Sequence, residues 1–128
     1  METKILLDTN FLLIPVEFRV DIFSELERLM DRKYKIYVLK QTIDELKNIQ
    51  KLQKGKNKQA AKIALELIEA KKLNILNINS KKSVDNIIVE LADKNYIVGT
   101  QDKLLRKNLK QKNIKLLTLR QRKYLIIV

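Results

Sequence analysis

The sequence predicts an α/β fold in which helices cover both faces of a central parallel sheet of about five strands. Short apolar runs alternate along the 128 residues with segments whose apolar residues recur at helical spacing. Strands separated by helices are usually parallel, because a right-handed crossover returns the chain to the same end of the sheet. The length fits a single domain, residues 1–128, built from three layers.

The first half of the chain shows the pattern of strand, helix, strand and two helices. The strands are predicted at 4–7 and 36–39, and the helices at 20–30, 42–52 and 60–68. Pro15 separates the first strand from the first helix, and Thr42 is the expected start of the second helix. Residues 55–57, which begin with Gly55, are predicted to form the turn before the third helix.

The second half repeats the alternation of strands and helices. Strands are predicted at 73–78, 96–99 and 114–119, and helices after Ser83 and over 103–111. In the last helix Leu104, Leu105 and Leu109 are expected to face the core. Residues 124–128 are expected to extend the chain beyond the last predicted strand.

Composition restricts the chemistry that this chain can perform. The sequence contains 27 Lys and Arg against 15 Asp and Glu, a formal net charge of +12 that favours a polyanionic partner such as nucleic acid. Contact with a ribosome, an acidic protein partner or a solvated lysine-rich surface are the alternatives. Cysteine and histidine are both absent, which excludes disulfides, thiolate nucleophiles, Cys/His zinc sites and histidine acid-base catalysis.

Neither a signal peptide nor a membrane segment is evident in the sequence. No apolar run approaches the roughly 18 residues of a transmembrane helix, and the N-terminal apolar run is broken by Asp8. The expected location is therefore cytoplasmic, without membrane contact.

Four acids are predicted to meet at one edge of the sheet. Asp8 ends the first strand and Asp102 follows the fourth, and the carboxyl ends of parallel strands form the edge where open α/β folds bind ligands. Glu45 and Asp85 stand near helix starts that can face the same edge. Two carboxylates about 4 Å apart repel by about 4 kcal/mol at an effective dielectric near 20, so the cluster favours a hard divalent cation, Mg²⁺ or Mn²⁺.

Simpler structural roles for these acids remain open at the level of sequence. Asp8 can cap a turn, and Asp102 starts a helix for which Thr100 is a competing cap.

The two helix acids have similar alternatives. Glu45 lies three residues after Thr42, which is the spacing of a capping box. Asp85 lies two residues after Ser83, in the first turn of the predicted helix, where a negative charge interacts favourably with the helix dipole.

Taken together, these segments resemble the PIN-domain nucleases over essentially the whole chain. The resemblance rests on LDTN at 7–10, Glu45 after the second strand, SVDN at 83–86, and TQD at 100–102 before Leu104 and Leu105. It implies a Rossmann-like domain that cuts RNA with magnesium or manganese. The family's catalytic and metal-binding acids match Asp8, Glu45, Asp85 and Asp102, and its supporting polar residues match Asn10 and Thr100. Asn86 and Gln101 depart from the common pattern and leave the number of metal ions open.

The segment at 119–125 looks more like archaeal relatives of the ribosomal-RNA-processing PIN nucleases than like the toxin branch. Ribosomal precursor RNA is thus the expected substrate, and the resemblance also allows a homodimer. The alternatives are a toxin-type PIN ribonuclease and an RNA-binding ribosome-assembly factor that cleaves poorly. A phosphoacceptor receiver domain fits worse, because the third strand ends without a phosphorylatable Asp.

Two basic surfaces are candidates for RNA binding. One lies on the helix after Asp102 and comprises Lys103, Arg106, Lys107 and Lys110. The other begins at Lys47 and Lys51 and continues through Lys54, Lys56 and Lys58. Each is also explained by a solvated helix face. Because only 5% of residues are aromatic, we expect electrostatic contact with phosphates rather than base stacking.

Overall fold

The computed structural model describes residues 2–128. Its strands are β1 (Thr3–Leu7), β2 (Tyr34–Leu39), β3 (Asn74–Leu76), β4 (Tyr96–Gly99), β5 (Lys115–Arg120) and β6 (Tyr124–Ile127). Its α-helices are α1 (Ile14–Glu17), α2 (Ile22–Leu29), α3 (Lys40–Leu52), α4 (Gly55–Ala70), α5 (Val84–Leu91) and α6 (Lys103–Gln111), and a short 3₁₀ helix spans Phe11–Leu13. No helix within the described residues has the length and apolarity needed to cross a membrane.

One mixed sheet forms the middle layer, in the order β3-β2-β1-β4-β5-β6. The pairs from β3 to β5 are parallel, and this confirms the predicted α/β architecture with a parallel sheet between helices. The sheet has six strands rather than about five, because the segment predicted as a terminal extension forms β6, antiparallel to β5. A short turn joins these two strands, and a hairpin can only produce antiparallel pairing.

Alternation along β1 sends side chains to two separate cores. Ile5 and Leu7 belong to the core on the face covered by helices such as α2 and α4. Leu6 belongs to the core on the opposite face, where Ile87 of α5 and Leu105 of α6 are also buried. A central parallel strand is covered on both faces, and β1 accordingly has three consecutive buried apolar residues at its carboxyl end, Ile5 to Leu7. The arrangement holds β1 and β4 rigidly at the centre of the sheet.

The segment between β1 and α2 differs from the prediction. Pro15 does not separate two elements but lies in the first turn of α1, directly after the 3₁₀ helix. Proline is tolerated there because the first amides of a helix have no intrahelical acceptor. Helix α2, which corresponds to the helix predicted at 20–30, begins at Ile22, and Asp21 caps it by accepting hydrogen bonds from the amides of Phe23 and Ser24.

The boundaries of the middle helices also differ. Helix α3, which was predicted to start at Thr42, begins at Lys40, so Thr42 lies inside it and does not cap it. Residues 55–57 are the first turn of α4 rather than a loop, and Gly55 supplies the positive φ of 67° at that start. Only Gln53 and Lys54 connect the two helices, which pack against each other as a hairpin.

Two further predictions need correction. The third strand covers only Asn74–Leu76, shorter than the predicted 73–78. Leu104 is 67% exposed, whereas Leu105 and Leu109 are buried as predicted. The buried pair is spaced four residues apart and defines the inner face of α6, so the neighbouring position is rotated about 100° away from it.

The outer edge of β6 is covered by side chains of α2. Leu125 donates its amide to Glu25 Oε1 at 2.9 Å, and its carbonyl accepts from Arg28 Nη2 at 2.9 Å. Arg28 also donates hydrogen bonds to the carboxylate of Glu25, and these bonds, followed in effect by the one from the Leu125 amide, lower the pKa of that carboxyl. Side chains that occupy edge amides and carbonyls oppose pairing with a second sheet, and here they also fix β6 in place.

Candidate active site

Asp8 and Asp102 follow neighbouring parallel strands and lie at the same edge of the sheet. Leu7 is in register with Gly99, and the amide of Asp8 donates to the carbonyl of Gly99 at 2.8 Å. The side chain of Asp8 is buried, and that of Asp102 is half-buried. The adjacency of the two acids therefore follows from the order of the strands.

The hydroxyl of Thr100 connects these two segments. Thr100 Oγ1 donates to Asp8 Oδ2 at 2.8 Å and accepts from the amide of Asp102 at 3.1 Å. Asn10 Oδ1 accepts from the amide of Gln101 at 3.1 Å, which ties the loop after β1 to the loop after β4. Asn10 and Thr100 thus lie beside the acids, and they hold the two loops together.

Gly99 permits this close approach. A Cβ at this position would lie 2.9 Å from Leu7 Cδ2 and 3.1 Å from Phe11 Cδ2. Both of these neighbours are fully buried. Any side chain here would displace the packing directly beneath Asp8.

Glu45 and Asp85 approach the edge from helices on opposite sides. The carboxylate of Glu45 accepts a hydrogen bond from the hydroxyl of Thr9. Asp85 lies in the first turn of α5, which Ser83 caps by accepting from the amide of Asn86 at 3.3 Å. Each helix therefore brings one further carboxylate towards the two that follow strands.

The capping alternatives have different outcomes. Asp102 is the N-cap of α6, and its Oδ1 accepts from the amide of Leu105 at 2.9 Å. Asp85 occupies the position where the dipole of α5 favours a negative charge. The capping box predicted for Glu45 is wrong, because Thr42 lies inside α3 with its buried hydroxyl unpaired among residues 2–128.

Electrostatic repulsion links the four acids. Burial raises the pKa of Asp8 to about 6, against an ordinary value of 3.8, and repulsion from Asp85 and Glu45 acts in the same direction. The hydrogen bonds from Thr100 and Thr9 lower that pKa but do not offset burial. Burial also raises the pKa of Asp85, followed in effect by repulsion from Asp102 and Glu45.

No Lys or Arg within residues 2–128 forms an ion pair with any of these four carboxylates. In a protein of net charge +12, an acidic cluster without a basic partner is a conspicuous exception. The donor set consists of oxygens alone, and a nearby cation would stabilise the charged form of a carboxylate as buried as Asp8. The residues therefore suit a hard divalent cation.

The acids do not form a closed coordination shell in this arrangement. Across the described part of the chain, no three Asp, Glu, His or Cys side chains stand close enough to hold a metal ion together. Several of the oxygens instead accept protein hydrogen bonds, from Thr9, Thr100 and Leu105. Coordination by three or more of these acids thus requires side-chain rotations at the edge.

The first basic surface lies along α6 and begins beside Asp102. All four of its side chains line a shallow groove of about 250 Å³, whose remaining lining residue is Leu116. The four are Lys103, Arg106, Lys107 and Lys110. On α3, Lys47 and Lys51 are exposed, four residues apart on the helix that carries Glu45. Both predicted surfaces are therefore solvent-facing and start close to the acidic edge.

Two polar residues of the site were not predicted from the sequence to support the acids. Thr9 donates through its amide to Asp8 at 2.8 Å and through its hydroxyl to Glu45. Gln101 donates its amide to Asn10, as described above, and its side chain to the carbonyl of Asn10 at 3.4 Å. Their one sequence signal is that each lies next to an acid after a strand.

Three similarities to known proteins accompany this geometry. The family model described as "PIN like domain" matches residues 5–122. Ribonuclease VapC4 of Methanocaldococcus jannaschii is 35% identical over 125 residues, which cover 94% of this chain and 93% of that protein. A solved structure of the PIN domain endonuclease Utp24 superimposes with a TM-score of 0.79 and 23% identity, covering 97% of this chain and 90% of that one.

Proposed function

The chain belongs to the PIN-like domain family, and from that premise we propose that it is a metal-dependent endoribonuclease. The observation that carries the proposal is the acidic edge: buried Asp8, with Glu45, Asp85 and Asp102 around it and no basic partner among the described residues. Membership of this family also argues against a phosphoacceptor receiver domain.

The four carboxylates at the edge would hold Mg²⁺ or Mn²⁺. Such an ion supplies charge neutralisation at the phosphodiester and lowers the pKa of water for attack. The protein's own contribution is positioning. Thr100 orients the carboxylate of Asp8, and Thr9 holds Glu45 towards it.

The substrate of the proposed activity is RNA. Carboxylates at the edge repel phosphates, so affinity must come from cations around them, and the groove along α6 provides four. Ribosomal precursor RNA and a toxin-type cellular target are equally consistent with the relatives. Comparing cleavage of ribosomal precursor fragments with cleavage of unrelated RNAs of equal length distinguishes the two.

Removal of metal tests the proposed chemistry. Purified protein is expected to open a closed circular RNA in Mg²⁺ or Mn²⁺ and to lose that activity in EDTA. An ion at one hundred times its dissociation constant adds about 2.7 kcal/mol to the free energy of unfolding, so the melting temperature should rise as the ion is added. The same rate in EDTA as in Mn²⁺ would contradict metal dependence. Binding without cleavage in either ion would instead indicate an assembly factor.

Salt dependence tests the RNA path along α6. Lys and Arg release counterions when they contact phosphates, so log affinity for single-stranded RNA falls with log salt by about 0.7 per contact. Changing Lys103, Arg106 and Lys107 together to Gln should reduce that slope by about 1 to 2. The measurement is RNA affinity in EDTA between low and physiological salt.

A control variant removes the same charge at the opposite edge of the sheet. Arg32, Lys94 and Lys115 are exposed there and line a single depression. Replacing all three with Gln lowers the net charge from +12 to +9, as the α6 variant does. If this control and the α6 variant lose slope equally, the effect is one of overall charge and the α6 path is wrong.

A further inference from the structure

The tip of the β5–β6 hairpin, residues 120–123, carries three basic residues at the same edge of the sheet as the four acids. Strand β5 is parallel to β4, with Leu117 in register with Gly99. Strand β5 continues for three more residues, to Arg120, and so extends roughly 10 Å past the end of β4 at Gly99. The hairpin tip therefore projects from the edge of the sheet at which Asp8 and Asp102 lie.

The backbone of this tip is strained. Gln121 and Arg122 have φ of 55° and 57°, the left-handed region that favours glycine, and the amide of Lys123 donates to the carbonyl of Arg120 at 3.1 Å. Tight hairpins of this kind prefer Asn-Gly. Two consecutive side chains in this region carry a free-energy cost that Asn-Gly would avoid, and such strain is characteristic of functional positions.

The side chain of Arg122 is held in place on one face. Its guanidinium lies 5.3 Å from the centre of the Phe18 ring, directly after α1. Cation–π contact fixes the plane of the guanidinium and leaves its edge donors available to an anion. Helix α1 follows the loop that begins at Asp8, so the contact anchors the tip to the segment that carries the site.

The tip has no acidic partner. Arg120, Arg122 and Lys123 are exposed, and none of them forms an ion pair within residues 2–128. Three uncompensated charges fixed on a strained turn favour a polyanion over an apolar or acidic protein surface. Because the tip lies at the same edge of the sheet as the four carboxylates, RNA bound for cleavage there is the polyanion nearest to it.

We propose that the hairpin tip binds the phosphate backbone of the RNA beside the cleavage site, as a third basic surface distinct from those on α3 and α6. This inference rests on the proposed ribonuclease function. Because β5 and β6 flank β4 on the side away from β1, the tip contacts a part of the RNA that leaves the acidic edge in that direction. Arg122, held on Phe18, provides an oriented contact to a phosphate, and Arg120 and Lys123 add positive charge beside it.

The test compares two variants of equal net charge. The hairpin variant changes Arg120, Arg122 and Lys123 to Gln, and the control is the Arg32, Lys94 and Lys115 variant described above. In EDTA at low salt the hairpin variant should bind single-stranded RNA at least about threefold more weakly than the control, with a log-log salt slope about 1 to 2 smaller. Equal affinity and slope in the two variants would overturn the proposal.

A second variant separates binding from folding. Changing Gln121 to Asn and Arg122 to Gly places a favoured turn pair in the tip, so its melting temperature should equal or exceed that of the wild type while RNA affinity falls. Wild-type affinity in this variant would overturn the role of Arg122. If the wild type cleaves RNA, but the triple hairpin variant binds like the control and the Asn-Gly variant binds like the wild type, only the hairpin proposal fails. If the wild type neither binds nor cleaves RNA, the proposed function fails with it.

Discussion

In the absence of divalent metal, Asp8→Asn protein is expected to be more stable than the wild type at pH 8, by up to about 3 kcal/mol. Burial raises the pKa of Asp8 to about 6 from an ordinary value of 3.8. Above pH 6 the folded protein therefore contains a charged group that its surroundings disfavour. Asparagine resembles the protonated acid in shape and avoids that cost.

The sign of the pH dependence follows from the same shift. A raised pKa means that the folded state binds the proton more tightly than the unfolded state, so the stability linked to Asp8 is fully present below pH 3.8. It is lost as the pH rises through about 6. The advantage of the variant should accordingly shrink towards zero near pH 4.

Urea denaturation in EDTA at pH 4.5 and pH 8 measures this difference. Asp44→Asn is the matched control, because Asp44 is 56% exposed and makes only a surface ion pair with Lys40 at 3.9 Å. Such a pair contributes about 0 to 1 kcal/mol. A wild type more stable than Asp8→Asn at pH 8 would show that the charged form of Asp8 is already compensated within the protein.

The acids that follow strands could be placed together from sequence for a simple reason. Parallel strands present their carboxyl ends at one edge, so the apolar runs before Asp8 and Asp102 were enough to bring the two residues together. The same reasoning does not orient a helix. The contact between Glu45 and Thr9 depends on where α3 begins and how it packs on α4, and neither follows from local sequence.

Three errors in the fold each concern a single residue. Pro15 and Gly55 usually end elements, but each here stands in the first turn of a helix, where the missing amide or the positive φ is tolerated. Leu104 is apolar yet exposed, because the buried face of α6 is set by Leu105 and Leu109. The first two cases follow from the local geometry of a helix start, and the third follows from the packing of α6 on the sheet.

The hairpin illustrates a further limit of sequence. Nothing in Gln121 or Arg122 indicates a tight turn, since neither residue favours a positive φ. The turn forms because β6 pairs with β5 and is fixed on its outer side by Glu25 and Arg28 of α2. A basic tip at the active edge is therefore visible only once the strands are assembled.

Cleavage of one labelled RNA by wild type, Asp8→Asn and Asp44→Asn in saturating Mn²⁺ tests the central claim most directly. Loss of residues that only support a metal ligand typically reduces activity by about 10- to 100-fold. We therefore expect Asp8→Asn, which alters a proposed ligand itself, to cut at least about 100-fold more slowly. Asp44→Asn should retain the wild-type rate, because its exposed carboxylate is not one of the four clustered acids and forms an ion pair only with Lys40. Cleavage by Asp8→Asn at the wild-type rate would contradict the assignment of the acidic edge as the nuclease centre.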